Sequence, residues 1–192
     1  PRAGRDLFAV GDQPVILFAS ASWQRPAFQW VGNARRLARC LPAWLAELLR
    51  RVRSDTIVCH IGPDRFPEWE AALGSRYRHL PQIHPDAFAD AMAAADLFLS
   101  CNFAATSIST ALLSDVPVLL ATNSLAVASA ADLPADLQSD VALRDWIGTV
   151  APLHRFRVWP YGMHRFLQPS FDDNPYSEAI TCVELLQAPA VL

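Results

Sequence analysis

Residues 86–124 read DAFADAMAAADLFLSCNFAATSISTALLSDVPVLLATNS, and this stretch decides the fold. Residues 86–95 have the apolar spacing of a helix, with Asp86 as its expected N-cap. Residues 97–100 are a short apolar strand, 107–114 a second helix, and 116–121 a strand that opens at a proline. Between the first strand and the second helix lies a turn, Asn102 to Ser107, made of small and hydroxyl-bearing residues apart from Asn102 and Phe103. Small side chains let backbone approach a ligand, and a helix that opens near Thr106 presents unpaired N–H groups with a positive dipole end. An anion is the expected guest of such a turn.

Working outward, PVILFAS (residues 14–20) is a continuous apolar run of the kind that parallel sheets bury on both faces. Residues 33–53 repeat Leu37, Leu41, Trp44, Leu45, Leu48 and Val52 at helical spacing, with Pro42 expected to start a fresh helix and Trp44 and Leu48 expected to face the sheet. TIVCHI (56–61) is a second strand, closed by Gly62-Pro63. A short helix over 67–73 and a brief strand over 77–80 form a connection to the deciding stretch. Beyond it the chain reads as helical pieces over 133–147 and a further strand at FRVW, 156–159. Alternation of strand and helix predicts an α/β class, a Rossmann-like parallel sheet flanked by helices, in a single domain spanning 1–192.

Composition narrows the function. Half the residues are apolar and 18% are charged, which is globular composition. No apolar run reaches the roughly 18 to 20 residues of a spanning helix, and PRAGRDLF at the start lacks a signal-peptide core, so the expectation is a cytoplasmic protein with no membrane span. Cys40, Cys59, Cys101 and Cys182 have neither CxxC nor metal-finger spacing. They are expected to be reduced and mostly buried, with no metal site. All 16 basic residues are Arg; residues 1–80 hold 12 of them against 7 acids, residues 81–192 hold 4 against 12. Arg35, Arg36, Arg39, Arg50, Arg51 and Arg53 lie on or beside a predicted helix as a solvated face, and nothing interleaves them with aromatics, so nucleic acid is not an expected partner. Walker, G-x-G-x-x-G, G-x-S-x-G and Asp-x-Asp signatures are absent.

Ligands of open α/β sheets gather at the carboxyl ends of the strands. That rule nominates Ser20 and Ser22 in ASASWQRP as donors to a phosphate, with Trp23 and Gln24 near a base or sugar. His60 is read either as pointing to the site or, the commoner case, as structural. Asn123 is a site candidate or an Asx cap. In VWPYGMHRFLQPSFDDNPY, His164 and Arg165 are candidates to neutralise a diphosphate and Asp172 or Asp173 to accept from sugar hydroxyls; the alternative is an Asp-Asn-Pro turn with a surface ion pair. His154 and His164 are the residual candidates for a catalytic base.

In its order of helix ending AAADL, strand, small-residue turn, helix and VPV, the deciding stretch resembles the C-terminal, nucleotide-sugar-binding domain of GT-B glycosyltransferases. Read back from Val116-Pro117, the family's turn His falls on Asn102, its glycines on Phe103, Ala104 and Thr106, its Thr on Ser107 and its helix Glu on Thr110. The resemblance implies a diphosphate held by Ser107 and the amides of Ala105, Thr106 and Ser107. It does not carry the ribose role to Thr110, which is too short. It also implies a base read near Gln82 and the Ile83 backbone, and donor contacts near Asn123. ASASWQ, SCNFAATSIST and WPYGMHRFLQP are similar to glycosyltransferase-like proteins of natural-product gene clusters, which implies a secondary-metabolite acceptor. The expected activity is metal-independent sugar transfer from a nucleotide-sugar to a small-molecule acceptor, without a cofactor. This chain would be one half of a two-domain enzyme, the acceptor half and its catalytic base lying on another domain or partner chain. The alternatives are a sugar-nucleotide epimerase of the same shape and a non-catalytic binding or scaffold module whose phosphate site is degenerate.

Overall fold

Val15–Ala19 (β1) and Ile57–Ile61 (β2) are apolar apart from His60 and buried over nearly their whole length, which a parallel sheet covered on both faces requires. The computed structural model describes residues 2–20, 34–102, 105–122, 126–127, 129–132, 135–139, 141, 144–145, 156–157 and 173–184. Around those strands it places α1 (Arg2–Leu7), α2 (Ala34–Leu49), α3 (Pro67–Leu73), β3 (Tyr77–Leu80), α4 (Pro85–Ala93), β4 (Leu97–Ser100), α5 (Thr106–Leu113) and β5 (Val118–Thr122). Then follow β6 (Ala126–Val127), α6 (Ala135–Gln138), β7 (Phe156–Arg157), α7 (Pro175–Glu178) and β8 (Ile180–Glu184).

Six strands form one sheet in the order β3-β2-β1-β4-β5-β8, every pair parallel. The chain builds outward from β1 through β2 to β3, then returns to lay β4 against the free side of β1. Strand order therefore reverses between β1 and β4, and the connections leaving their carboxyl ends diverge there.

Alternation along the strands divides the core. Leu17, Cys59, Phe98, Val118 and Leu120 pack with Ala91 and Met92 of α4 and Ile108 and Ala111 of α5. Ile16, Phe18, Val58, Tyr77 and Leu99 pack with Leu41, Leu45 and Leu49 of α2 and Trp69 and Leu73 of α3. Each fully buried Leu here contributes about 1.5–3 kcal/mol through burial. Trp69 also donates its indole N–H to the Pro42 carbonyl at 2.8 Å, tying α3 to α2. On the opposite face Gly4 lets α1 approach α4: a Cβ there would collide with the Asp90 carbonyl. Asp96, at the α4–β4 junction, accepts from the Val15 amide at 2.7 Å and from Arg5 at 3.4 Å. That aspartate of the AAADL motif thus pins the start of β1.

Several expectations are corrected. Pro42 lies inside a continuous α2 and starts no new helix. Trp44 and Leu48 do pack against the cluster that holds Ile16, Phe18, Val58 and Leu99 of the sheet, but Leu41, Leu45 and Leu49 take the most buried line. The N-cap of α4 is His84, whose Nδ1 accepts from the Asp86 amide at 3.4 Å; Pro85 fills the first turn, where an N–H is not needed. The strand expected at FRVW contributes Phe156–Arg157 to a separate antiparallel pair with β6, and β8 takes the sheet edge. Cys59 and Cys101 are buried, but Cys182 on that edge strand is exposed, and the Cys40 side chain lies outside the described residues. No described helix is long and apolar enough to cross a membrane.

Candidate functional site

The first part of the site is backbone. After β4, the Asn102 amide donates to Ser100 Oγ at 3.1 Å and the Ser100 hydroxyl reaches the Asn102 carbonyl at 3.2 Å, folding the chain sharply at the strand end. The Asn102 carbonyl also accepts from the Ala105 amide at 3.1 Å. α5 then opens at Thr106, one residue before the expected start. Its N-cap, Ala105, has the extended backbone of a capping residue (φ −75°, ψ 128°) but no side chain to cap with, and the first turn contains no acid. The Ile108 amide donates to the Ala105 carbonyl at 3.0 Å, while the Thr106 and Ser107 amides lie at the positive end of the helix dipole, beside the reversal point of the sheet, with no side-chain cap among the described residues. Thr106 is exposed and Ser107 half-buried. Thr110, which the resemblance places where a ribose-binding Glu would stand, turns its hydroxyl back to the Thr106 carbonyl at 3.3 Å.

The second part is built of side chains at the carboxyl ends of β1, β2 and β3. Register sets Phe18 beside His60 and His60 beside His79, all on the α2–α3 face. Ser20, two residues after Phe18, returns to that face and lies 2.7 Å from His60 Nε2. On the other side of the ring, His60 Nδ1 is 2.8 Å from the Tyr77 hydroxyl, which also accepts from the Phe66 amide at 3.2 Å. Phe18, Phe66, Trp69 and His79 surround the imidazole at centroid distances of 4.5–5.5 Å. His60 is fully buried, and burial pushes its pKa down to about 3, with His79 adding to the shift and Asp64 opposing it. Burial likewise raises the Tyr77 phenol to about 12 and the Cys59 thiol to about 12. All three are neutral at pH 7, so Cys59 is no nucleophile there.

Gly62 closes this corner. A Cβ on it would collide with Ser20 Oγ and stand 2.7 Å from His60 Nε2. The Ser20 amide donates to the Ile61 carbonyl at 2.9 Å, the Gly62 amide to the Leu80 carbonyl at 3.1 Å, and His79 Nε2 to the Gly62 carbonyl at 2.9 Å. The three strand ends are laced together.

Of the residues nominated from sequence, the structure brings Ser20 to the end of β1 and Asn102, Ala105, Thr106 and Ser107 to the adjacent β4–α5 connection. Gln82 is exposed just beyond β3, the edge strand, three strand spacings or about 14 Å from β4. Asn174 caps α7 by accepting from the Tyr176 amide at 3.0 Å, so this part of the Asp-Asn-Pro segment is a helix start. Ser22, Trp23, Gln24, Phe103, Asn123, His154, His164, Arg165 and Asp172 lie outside the described residues. Among the described residues no group of three His, Cys, Asp or Glu side chains is placed to hold a metal ion. An aliphatic hollow of about 600 Å³ under the end of α2, lined by Ile16, Leu48, Leu97, Leu99 and Leu119, has only Thr56, Arg51 and Arg53 as polar lining and no convergent polar groups.

His60 stands alone in the sequence, with no local sign of its partnership with Ser20 and Tyr77. The available signal was alternation: Phe18/Ser20, His60 and Tyr77/His79 share one face of three neighbouring parallel strands, and Gly62 marks the crowding point.

Strand order defines the class, a Rossmann-like α/β fold whose sheet reverses its order between β1 and β4. The chain belongs to the family of unknown function DUF6365, which it matches over residues 2–192. No curated protein matches it by sequence. Among solved structures it is similar to WaaG, a glycosyltransferase involved in lipopolysaccharide biosynthesis, with 22% identity over 62% of this chain and 32% of that one and a TM-score of 0.40. It is also similar to a protein from Listeria monocytogenes designated a UDP-N-acetylglucosamine 2-epimerase, with 15% identity over 96% and 50% and a TM-score of 0.42. A short-chain dehydrogenase/reductase from Veillonella parvula shares 13% identity over 81% and 63%, with a TM-score of 0.36. The chain spans 32% to 63% of the length of these solved chains, and the likeness is one of fold.

Proposed function

We propose that this chain binds the diphosphate of a nucleotide-sugar and serves as the donor half of a GT-B-type glycosyltransferase. The observation that carries the reading is the start of α5: a helix N-terminus with no side-chain cap among the described residues and no acid in its first turn, opening at the reversal point of the sheet. In this reading the amides of Thr106 and Ser107 and the Ser107 hydroxyl hold the diphosphate, and Ser20 approaches it from β1. The base lies toward Gln82 and the β3–α4 connection. The residues do not need a metal for this task, because helix dipole and hydroxyls stabilise the leaving diphosphate directly. Sugar passes to a small-molecule acceptor, with a secondary metabolite as its expected class; the base that activates the acceptor comes from a partnering acceptor half, His154 or His164 of this chain being the alternative.

Isothermal titration of the chain with UDP, GDP and dTDP, beside Ser107→Ala, tests this. Binding of one nucleotide, weakened about tenfold by loss of the charge-assisted hydroxyl contact, is the expected result. No binding by any of the three, nor by inorganic pyrophosphate, contradicts it and leaves a scaffold role.

A further inference from the structure

The contacts of Tyr77, His60 and Ser20 form a chain with a direction, and the direction decides what the Ser20 hydroxyl does. Tyr77 is 4% exposed, and its oxygen already accepts from the Phe66 amide at 3.2 Å. The phenolic proton needs an acceptor, and among the described residues the only one within reach is His60 Nδ1 at 2.8 Å. A buried hydroxyl that left this proton unpaired would be an exception to the way folded proteins satisfy polar groups. Nδ1 is therefore the bare nitrogen of a neutral imidazole, a state that the ring cage and burial enforce. The ring proton then sits on Nε2 and points at Ser20 Oγ, 2.7 Å away. Ser20 Oγ is occupied as an acceptor, and no described residue takes its own proton.

We infer that Tyr77 and His60 are positioning residues that fix Ser20 as an outward hydrogen-bond donor for a phosphoryl oxygen. This rests on the diphosphate reading of the neighbouring β4–α5 turn. The opposite polarity, with Ser20 donating to His60 as an activated nucleophile would, strands the Tyr77 proton. Successive donation along the relay polarises each hydroxyl and strengthens the final donor. Gly62 belongs to the device, because a side chain there would displace Ser20 from His60.

The test joins a spectroscopic readout with binding. Nitrogen NMR of the His60 ring in the wild-type chain, which needs no variant, is expected to show a neutral imidazole protonated at Nε2. Titration with inorganic pyrophosphate and with UDP, GDP and dTDP is expected to show affinity lowered about tenfold or more in Ser20→Ala and about three- to tenfold in Tyr77→Phe. The double variant should be no weaker than Ser20→Ala, since both substitutions break one chain. Thermal melting confirms that the conservative Tyr77→Phe remains folded. His60 protonated at Nδ1 overturns the inference whatever binds. Wild-type affinity in Tyr77→Phe alongside a loss in Ser20→Ala overturns the relay and leaves the diphosphate reading standing. Failure of the wild type to bind any of these anions overturns that reading and, with it, the role given to Ser20.

Discussion

The β4–α5 turn and the β1–β2–β3 corner sit side by side at the carboxyl edge of one sheet and are built in opposite ways. In the turn, the polar groups on offer are the first amides of α5, which no side chain caps among the described residues. At the corner, side chains satisfy one another in a chain from the Phe66 amide through Tyr77 and His60 to Ser20, whose hydroxyl proton finds no acceptor among the described residues. An open backbone site draws its affinity from a dipole and tolerates substitution of its small residues. A laced side-chain site depends on register, burial and one glycine. The contrast teaches that the corner should be mutationally brittle and the turn adaptable.

Breaking the corner should produce the largest effect. Trp69→Ala removes a fully buried wall of the His60 cage and the bond to Pro42, and is expected to destabilise the fold by about 3–5 kcal/mol in chemical denaturation. Ser107→Ala in the turn should cost less than about 0.5 kcal/mol by the same measurement, as exposed or half-exposed polar changes do. Equal losses at the two positions would erase the distinction.

Gly62→Ala comes next. Its methyl group must push Ser20 or His60 aside, and overpacking of this kind costs about 1–3 kcal/mol. Pyrophosphate affinity should fall with it, although residue 62 itself contacts no ligand in this account. A variant as stable as the wild type would show that the corner has slack.

The corner also has a pH signature. His60 has an ordinary value of 6.5 and is pushed down to about 3 in the fold, so below pH 6.5 the unfolded chain takes up a proton that the folded one refuses. Its contribution is fully present above pH 6.5 and is lost as pH falls toward 3, by about 1.4 kcal/mol per pH unit. Denaturation of wild type and His60→Gln should give a difference that approaches this slope between about pH 4 and 6 and levels off above 6.5. A difference independent of pH would mean that the imidazole is solvated.

These two regions also mark what the sequence reveals. The turn was legible because its meaning lies in local order: AAADL, an apolar strand, small residues and then a helix occupy one continuous stretch. The parallel sheet was legible too, since PVILFAS and TIVCHI are apolar runs that belong between two layers of helix. The relay was not, because Ser20, His60 and Tyr77 are separated by 40 and 17 residues and meet only through strand register. His84 displaced Asp86 as cap because the extended backbone before Pro85 suits a capping residue, a preference that acts one step outside the helical periodicity. β8 leaves little trace in the sequence because ITCVE is short, mixed in polarity and set at the sheet edge, where Thr181 and Cys182 are exposed.

The measurement that bears most directly on the central claim is a substitution designed to improve the fold at the expense of the site. Ala105→Asp places a carboxylate at the vacant N-cap of α5, where the backbone already has capping geometry. Thermal melting with and without inorganic pyrophosphate should show the unliganded protein stabilised, by about 0.5–2 kcal/mol, and the pyrophosphate-induced shift abolished, because the new carboxylate occupies the amides and repels the anion. An undiminished shift with pyrophosphate in the Ala105→Asp protein would contradict the assignment of the α5 N-terminus as the anion site.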